Sequence, residues 1–159
     1  MGPEVTESLD IKASNVVLYD MVADVARMGE WSPEATGARA DSRQLSSGDR
    51  FVGFNKYGLA RWFTFNTVRW AQRGELFEFD TDFGPFGISR WRYTFTPLND
   101  GETRVTESWW DRRTGPLGLP IRAVGQVFIP GDREKHNRQS MVTTLERLRQ
   151  AAEAASSPA

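Results

Sequence analysis

The 159-residue chain contains no cysteine and only one histidine, His136. Without cysteine there can be no disulfide bond, thiol nucleophile or zinc–thiolate centre. A single histidine gives little support to a Ser-His-Asp triad or to a histidine-rich metal site. The sequence therefore predicts no metal site and no cofactor.

The chain also lacks an excess of charge and long apolar runs. Its formal net charge is −1 at pH 7, so no long-range field favours nucleic acid or anionic lipid as a partner. No apolar run approaches the roughly 20 residues of a membrane-spanning helix. Residues 1–10 show no basic stretch followed by an apolar run, so we expect no signal peptide and a cytoplasmic protein. The sequence leaves a homodimer open.

Aromatic residues, in contrast, are abundant. They make up 12% of the chain and include six tryptophans. Most of them stand in alternating apolar and polar runs, which are typical of β-strands. We therefore expect a sheet to carry most of the aromatic side chains.

The predicted order of elements is a strand, two short helices, six strands and a long helix. Residues 5–13 alternate imperfectly and predict the first strand, and residues 15–22 and 24–30 have helical spacing after Ser14-Asn15 and Asp24. Turn residues separate the next segments, which predicts an antiparallel meander. The six extended segments are 34–44, 50–57, 60–71, 75–82, 87–97 and 102–111.

The remaining part of the chain contains a segment rich in breakers and then a helix. In residues 115–130, glycines and prolines interrupt apolar residues, which predicts a loop with one short helix. This segment is either a lid over a cavity or ordinary packing against the next helix. Residues 132–155 predict one amphipathic helix capped by Asp132. We expect a single domain over residues 1–159, with 156–159 as a frayed tail.

The period of two in a strand assigns each strand an inner and an outer face. We place the aromatic sets inside and the arginine-bearing sets outside, with the register of residues 50–57 and 60–71 left open. The inner sets are Phe51, Gly53 and Asn55; Trp62, Thr64, Asn66, Val68 and Trp70; Phe77 and Phe79; Trp91, Tyr93 and Phe95; Val105, Glu107 and Trp109.

This inner face mixes aromatic rings with polar groups such as Asn55, Asn66 and Glu107. A dry core disfavours such groups, because an unpaired buried polar group costs about 1–3 kcal/mol. A wet or ligand-filled cavity between the sheet and the long helix would accommodate them.

The order of elements resembles the START-like or Bet v 1-like helix-grip superfamily, in particular its bacterial polyketide cyclase/dehydrase and lipid-transport-like branch. Residues 22–34, 48–55, 91–95 and 101–108 carry the resemblance, which extends over nearly the whole chain. It implies an α+β helix-grip fold, in which a curved antiparallel sheet of about seven strands and two short helices surround a long C-terminal helix and enclose a cavity. It names no ligand, and no catalytic signature transfers residue by residue.

Glu107 and Tyr93 are the candidate catalytic residues. Burial among rings would raise the pKa of Glu107 and make it a general acid or a hydrogen-bond partner of a ligand. The alternatives are a structural salt bridge or a strand whose inner and outer faces are assigned the wrong way round. Glu34 at the expected mouth would touch a ligand or merely follow the end of a helix, and His136 is expected at the surface. The candidate ligand-binding residues are Trp31, Glu34, Asn55, Trp62, Asn66, Phe77, Phe79, Trp91, Tyr93, Phe95, Glu107, Trp109, Asn137 and Met141.

Three functions stay open. The leading hypothesis is a binding protein for a small hydrophobic molecule, aromatic or lipid-like, because aromatic walls favour stacking. The second is a polyketide cyclase/dehydratase-like enzyme in which pocket residues transfer protons. The third is a stress or interaction module whose tryptophans fill the core.

Overall fold

The computed structural model describes residues 1–116 and 118–156, and its strands form one antiparallel sheet. The strands are β1 (Val5–Ile11), β2 (Ala35–Ala40), β3 (Arg50–Tyr57), β4 (Ala60–Gln72), β5 (Leu76–Phe83), β6 (Phe86–Asn99) and β7 (Glu102–Asp111). Their order in the sheet is β1-β7-β6-β5-β4-β3-β2. The predicted meander is confirmed, because β2 to β7 follow one another both in the chain and in the sheet.

The two short helices follow β1. The first is α1 (Asn15–Ala23), and Ser14 Oγ accepts a hydrogen bond from the backbone N–H of Val17 at 3.3 Å as its N-cap. The second is a 3₁₀ helix, Val25–Glu30, with Asp24 at its N-cap position as predicted, although the Asp24 side chain makes no capping hydrogen bond.

Two further helices close the fold. α2 (Gly118–Phe128) is longer than the short helix that the sequence predicted. α3 (Arg133–Ser156) begins after Asp132, whose Oδ1 accepts hydrogen bonds from two backbone N–H groups of the first turn at 3.0 and 3.2 Å. Of the tail predicted to fray, Ser156 belongs to α3, and residues 157–159 lie outside the described residues.

α3 packs mainly on the inner faces of β1 and β7 and also contacts α1. Its residues Met141, Leu145, Leu148 and Ala152 are fully buried, as their spacing predicts. Because α3 lies towards the β1 edge, space remains beneath it over β3 to β6. α2, by comparison, leaves Leu119 71% exposed and Val127 78% exposed.

The register confirms the predicted inner sets with one exception, Trp70. Val68 opposes Phe79 on the inner face, but a bulge follows, and Trp70 opposes Glu78 on the outer face. A bulge inserts one extra residue, so the alternation changes face beyond it. Trp70 is accordingly 55% exposed.

The outer face carries a paired charge network. Glu78 and Asp80 point outwards yet are almost fully buried, because arginines of β6 cover them. Arg90 binds Asp80 at 2.7 and 3.1 Å, Arg92 binds Glu78, and the Arg92 guanidinium lies 5.0 Å from the ring of Trp110. The arginines predicted on the outer face therefore pair with the buried carboxylates and shield them from water.

Candidate functional site

A cavity of about 130 Å³ lies between the inner face of the sheet, the 3₁₀ helix and α3. Its aromatic wall consists of Trp31, Phe51, Trp62, Phe79, Trp91 and Tyr93. This volume is comparable with that of the apolar cavity of about 150 Å³ that binds benzene, so an aromatic ligand can place a ring in it.

Nine of the fourteen candidate ligand-binding residues line this cavity. They are Trp31, Glu34, Asn55, Trp62, Asn66, Phe79, Trp91, Tyr93 and Glu107. The period-two assignment explains the agreement, since alternate residues of β3 to β7 share the inner face. Whether they bind a ligand stays a prediction.

The other five candidates lie in the packed core instead. They are Phe77, Phe95, Trp109, Asn137 and Met141. Phe77 and Phe95 hold Tyr19 of α1 between them, with ring centroids 6.1 and 5.7 Å from the tyrosine ring. Trp109 packs with Val5 of β1 and Met141 of α3. Contacts between the sheet and the helices bury these five side chains, so they belong to the core and do not line the cavity.

Several cavity residues were missed by the sequence reasoning. Thr81 and Ser89 continue the inner faces of Phe79 and Trp91 by two residues, so their signal was present in the alternation. Arg133 lies one helical turn before Asn137, so extending the apolar face of α3 by one more turn would have found it.

Glu107 and Tyr93 form a buried pair at the inner end of the cavity. They lie opposite each other on β7 and β6, and Tyr93 Oη donates a hydrogen bond to Glu107 Oε1 at 2.6 Å. Burial raises the pKa of Glu107 to about 8, although the hydrogen bond from Tyr93 opposes this rise. Burial and the neighbouring Glu107 raise the pKa of Tyr93 well above its ordinary value. Both groups are therefore largely neutral at pH 7.

The second oxygen of Glu107 has no partner. Among the described residues no donor or acceptor reaches the buried Glu107 Oε2. Because Tyr93 donates to Oε1, the proton of the neutral carboxyl is free to reside on Oε2. The cavity thus offers an unused O–H donor, which suits a carbonyl or ether oxygen of a ligand.

The other polar groups of the inner wall are mostly satisfied internally. Asn66 Oδ1 accepts a hydrogen bond from Thr81 at 2.9 Å, and its Nδ2 donates to the backbone oxygen of Thr64 at 3.3 Å. Trp91 Nε1 donates to Ser89 Oγ at 3.1 Å. These groups therefore need no ligand to satisfy them. Among the described residues, the buried side-chain atoms without a partner are Glu107 Oε2, Trp109 Nε1 and Asn137 Nδ2, and of these three residues Glu107 alone lines the cavity.

Glu34 forms the charged rim of the cavity with two residues of α3. Its Oε2 lies 3.1 Å from His136 Nε2, and its Oε1 lies 3.7 Å from the guanidinium of Arg133. The imidazole also meets the ring of Tyr57 edge-on at 5.2 Å. The His136 side chain, which was expected at the surface, is 22% exposed and has these partners at the rim. Burial lowers the pKa of Arg133, with Glu34 opposing the effect.

α2 borders the same opening. The ring of Phe128 at its end lies 5.6 Å from the cavity residue Trp62. At the other side, Asp111 binds Arg113 and also reaches Arg122 of α2 at 3.4 Å. α2 is thus connected to the rest of the protein by the ring contact between Phe128 and Trp62 and by the ion pair between Arg122 and Asp111.

Within residues 1–116 and 118–156, no three His, Asp or Glu side chains converge as a metal ion would require. No helix in that part of the chain is long and apolar enough to cross a membrane.

A seven-stranded antiparallel sheet with a long C-terminal helix and a cavity between them defines a helix-grip, START-like protein. The chain belongs to the polyketide cyclase/dehydrase and lipid transport family, whose sequence model matches residues 2–153. Among curated proteins, no match was found.

Solved structures share the fold. The di-domain ARO/CYC StfQ from the steffimycin biosynthetic pathway is 14% identical with a TM-score of 0.68, and the match covers 95% of this chain but 45% of StfQ. TTHA0849 from Thermus thermophilus is 18% identical with a TM-score of 0.66, covering 98% and 100% of the two chains. The Polyketide_cyc-like protein Cgl2372 from Corynebacterium glutamicum is 26% identical with a TM-score of 0.59, covering 95% and 91%.

Proposed function

We propose that the protein binds a small, largely aromatic molecule in the cavity between the sheet and α3. The observation that carries the proposal is the unpartnered Oε2 of the buried Glu107. A neutral carboxyl with no acceptor within reach is costly to bury, and a ligand oxygen would remove that cost. The aromatic wall supplies the apolar and stacking contacts for the rest of the ligand.

A module with a completely filled core is the less favoured alternative. Trp70 and Trp110 face the outer side of the sheet, so they contribute nothing to the interior. The four inner tryptophans leave the cavity open, and Trp31, Trp62 and Trp91 form part of its wall.

Filling the cavity should abolish the binding of an apolar probe. Ser140 lines the cavity from α3, whereas its neighbour Gln139 is exposed. We expect Ser140→Phe to weaken the binding of N-phenyl-1-naphthylamine at least about tenfold, a cost of about 1.4 kcal/mol. The probe is neutral, and its fluorescence rises in an apolar site, so titration measures its Kd directly.

The control is Gln139→Phe, which adds the same ring on the solvent side and should leave the Kd within about twofold. Native mass spectrometry of the purified protein, followed by analysis of any released compound, identifies a ligand that copurifies. If the wild-type protein and both variants bind the probe equally, or none binds it, the proposed cavity function is wrong.

The Glu107–Tyr93 pair favours a second candidate, a cyclase/dehydratase-like enzyme. Cyclisation and dehydration of a poly-β-ketone chain both require proton transfer next to a carbonyl group. An acid with a pKa of about 8 can donate a proton to the carbonyl oxygen near neutral pH and, once ionised, accept one from the adjacent carbon. The position of Glu107 on the cavity wall supports this candidate.

Proton exchange in an aromatic ketone tests this second candidate. We expect the protein to accelerate exchange of the C2 protons of 1-tetralone in D₂O above the buffer rate, as followed by NMR. Glu107→Gln, which removes the titrating group, should return exchange to the buffer rate, while the exposed Glu75→Gln should not. Equal exchange in wild-type protein and Glu107→Gln would remove Glu107 from this role.

A further inference from the structure

Around Arg133 at the cavity rim, guanidinium groups outnumber the carboxylates that pair with them. Arg113 occupies both oxygens of Asp111, at 2.9 and 2.8 Å, and Arg122 reaches the same carboxylate at 3.4 Å. Among the described residues, Glu34 is the one carboxylate within ion-pair distance of Arg133, and Asp111 and Arg113 act on it over a longer range. Two carboxylates thus serve three guanidinium groups, and Glu34 is further shared with His136.

Arg133 is the least satisfied of these cations. Its side chain is 24% exposed and lines the cavity, so it has lost much of its contact with water. A guanidinium offers five N–H donors. Within residues 1–116 and 118–156, Arg133 donates no side-chain hydrogen bond, and its ion pair with Glu34 spans 3.7 Å, beyond hydrogen-bond length.

Asn55 adds a second unused donor on the same side of the cavity. It pairs with Ala35, the residue after Glu34, and its side chain lines the cavity. Its amide makes no side-chain hydrogen bond to the described residues, unlike the amide of Asn66 deeper in the cavity. The opening therefore presents a charged and a neutral donor without matching acceptors.

We propose that the natural ligand is an aromatic carboxylic acid whose carboxylate is bound by Arg133 and Asn55 at the opening. Resting on the proposed function, this assignment places the rings against the aromatic wall and the anionic group at the rim. A carboxylate fits the planar guanidinium through two parallel hydrogen bonds, which are stronger than bonds between neutral groups. Glu34 then competes with the ligand for Arg133.

A matched pair of probes tests the assignment. 2-Naphthoate and 2-naphthamide have nearly the same shape and differ in charge, and calorimetric titration gives a Kd for each. We expect the wild-type protein to bind the carboxylate about tenfold more tightly than the amide. Arg133→Gln should bring the ratio of the two Kd values close to one, while the Kd of the amide changes by less than about twofold.

Three further variants keep the test decisive. Arg133→Lys retains the charge and should retain part of the preference, which covers the case in which Arg133→Gln is poorly folded. Glu34→Gln removes the competing carboxylate and should increase the preference for 2-naphthoate. Arg147→Gln, which changes an exposed arginine 14 residues further along α3, should leave the preference unchanged.

The outcomes separate this inference from the proposed function. If both probes bind with equal Kd, or if Arg133→Gln and Arg133→Lys keep the full preference, the carboxylate site is wrong while the cavity function stands. If neither probe binds, the cavity function and the inference both fail.

Discussion

Replacing Glu107 with glutamine should remove a large pH dependence from the stability of the protein. The pKa of Glu107 is about 8 in the folded state, against 4.5 for an ordinary glutamate, because burial disfavours its charged form. Below pH 4.5 both states are protonated, so the shift costs nothing. As the pH rises further, the unfolded chain ionises while the folded protein keeps its proton. The wild-type protein therefore loses about 1.4 kcal/mol per pH unit until the pH passes the folded pKa.

The loss should accumulate to about 3–5 kcal/mol between pH 5 and pH 8.5, which is a large part of the stability of a typical domain. Glutamine cannot ionise, and its Oε1 can still accept the hydrogen bond of Tyr93. Urea unfolding at a series of pH values, followed by tryptophan fluorescence, gives the free energy of unfolding of both proteins. We expect the curves to meet near pH 5 and the variant to be the more stable above pH 7.

Glu75→Gln is the matched control for this series. Glu75 is exposed and precedes β5, so its replacement should leave the pH dependence of the wild-type protein intact. Parallel curves for wild-type protein and Glu107→Gln would show that Glu107 is not held as a neutral acid. The candidate hydrogen bond to a ligand oxygen would then lose its basis.

The two ends of the cavity differ in charge, and this difference follows from burial. Glu107 lies deep and is 2% exposed, so it stays neutral, whereas Arg133 stands at the rim with part of its side chain in water. A guanidinium keeps its charge under such conditions because its ordinary pKa lies far above neutral pH. A neutral donor inside and a cation outside together favour a ligand with an uncharged inner end and an anionic outer end.

The sequence predicted the strands and the inner face of the sheet well for a physical reason. Where large rings alternate with charged residues, as in Trp91 and Tyr93 against Arg90 and Arg92, only one face can be buried at low cost. The same argument placed Glu107 inside, although it is charged in water. The prediction from alternation was wrong for Trp70, because the bulge before it adds one residue to the strand and the spacing of the aromatic residues does not reveal it.

The rest of the candidate site depends on contacts between elements that are distant in the chain. Phe77 shares a strand face with Phe79, but Tyr19 of α1 covers only Phe77, and no local pattern reveals where α1 lies. Ser140 and Thr144 line the cavity because α3 lies over β1 and β7, and their polar character alone indicates solvent. The sequence likewise gives no sign that Glu78 and Asp80 on the outer face are buried, because the arginines that cover them lie on the next strand.

Replacing Gly29 with alanine should destabilise the protein although the change adds a single methyl group. Gly29 lies in the 3₁₀ helix that packs against β2. A Cβ at this position would lie 2.7 Å from the backbone oxygen of Thr36 and 2.8 Å from its carbonyl carbon. Neither group is the flexible end of a side chain, so the helix and β2 must separate. We expect a loss of about 1–3 kcal/mol and a fall in Tm of roughly 5–10 °C.

Gly101→Ala is the matched control for this substitution, because a Cβ there would meet nothing within 4 Å and its φ is not positive. Its Tm should stay within about 1–2 °C of the wild-type value, since surface changes usually cost less than about 0.5 kcal/mol. The 3₁₀ helix leads directly into Trp31 and Glu34, which line the cavity, so Gly29→Ala should also weaken the binding of N-phenyl-1-naphthylamine at temperatures where the variant is still folded. An unchanged Tm would contradict the close contact of the helix with β2. A lower Tm with unchanged probe binding would show instead that the wall at Trp31 holds its position without that contact.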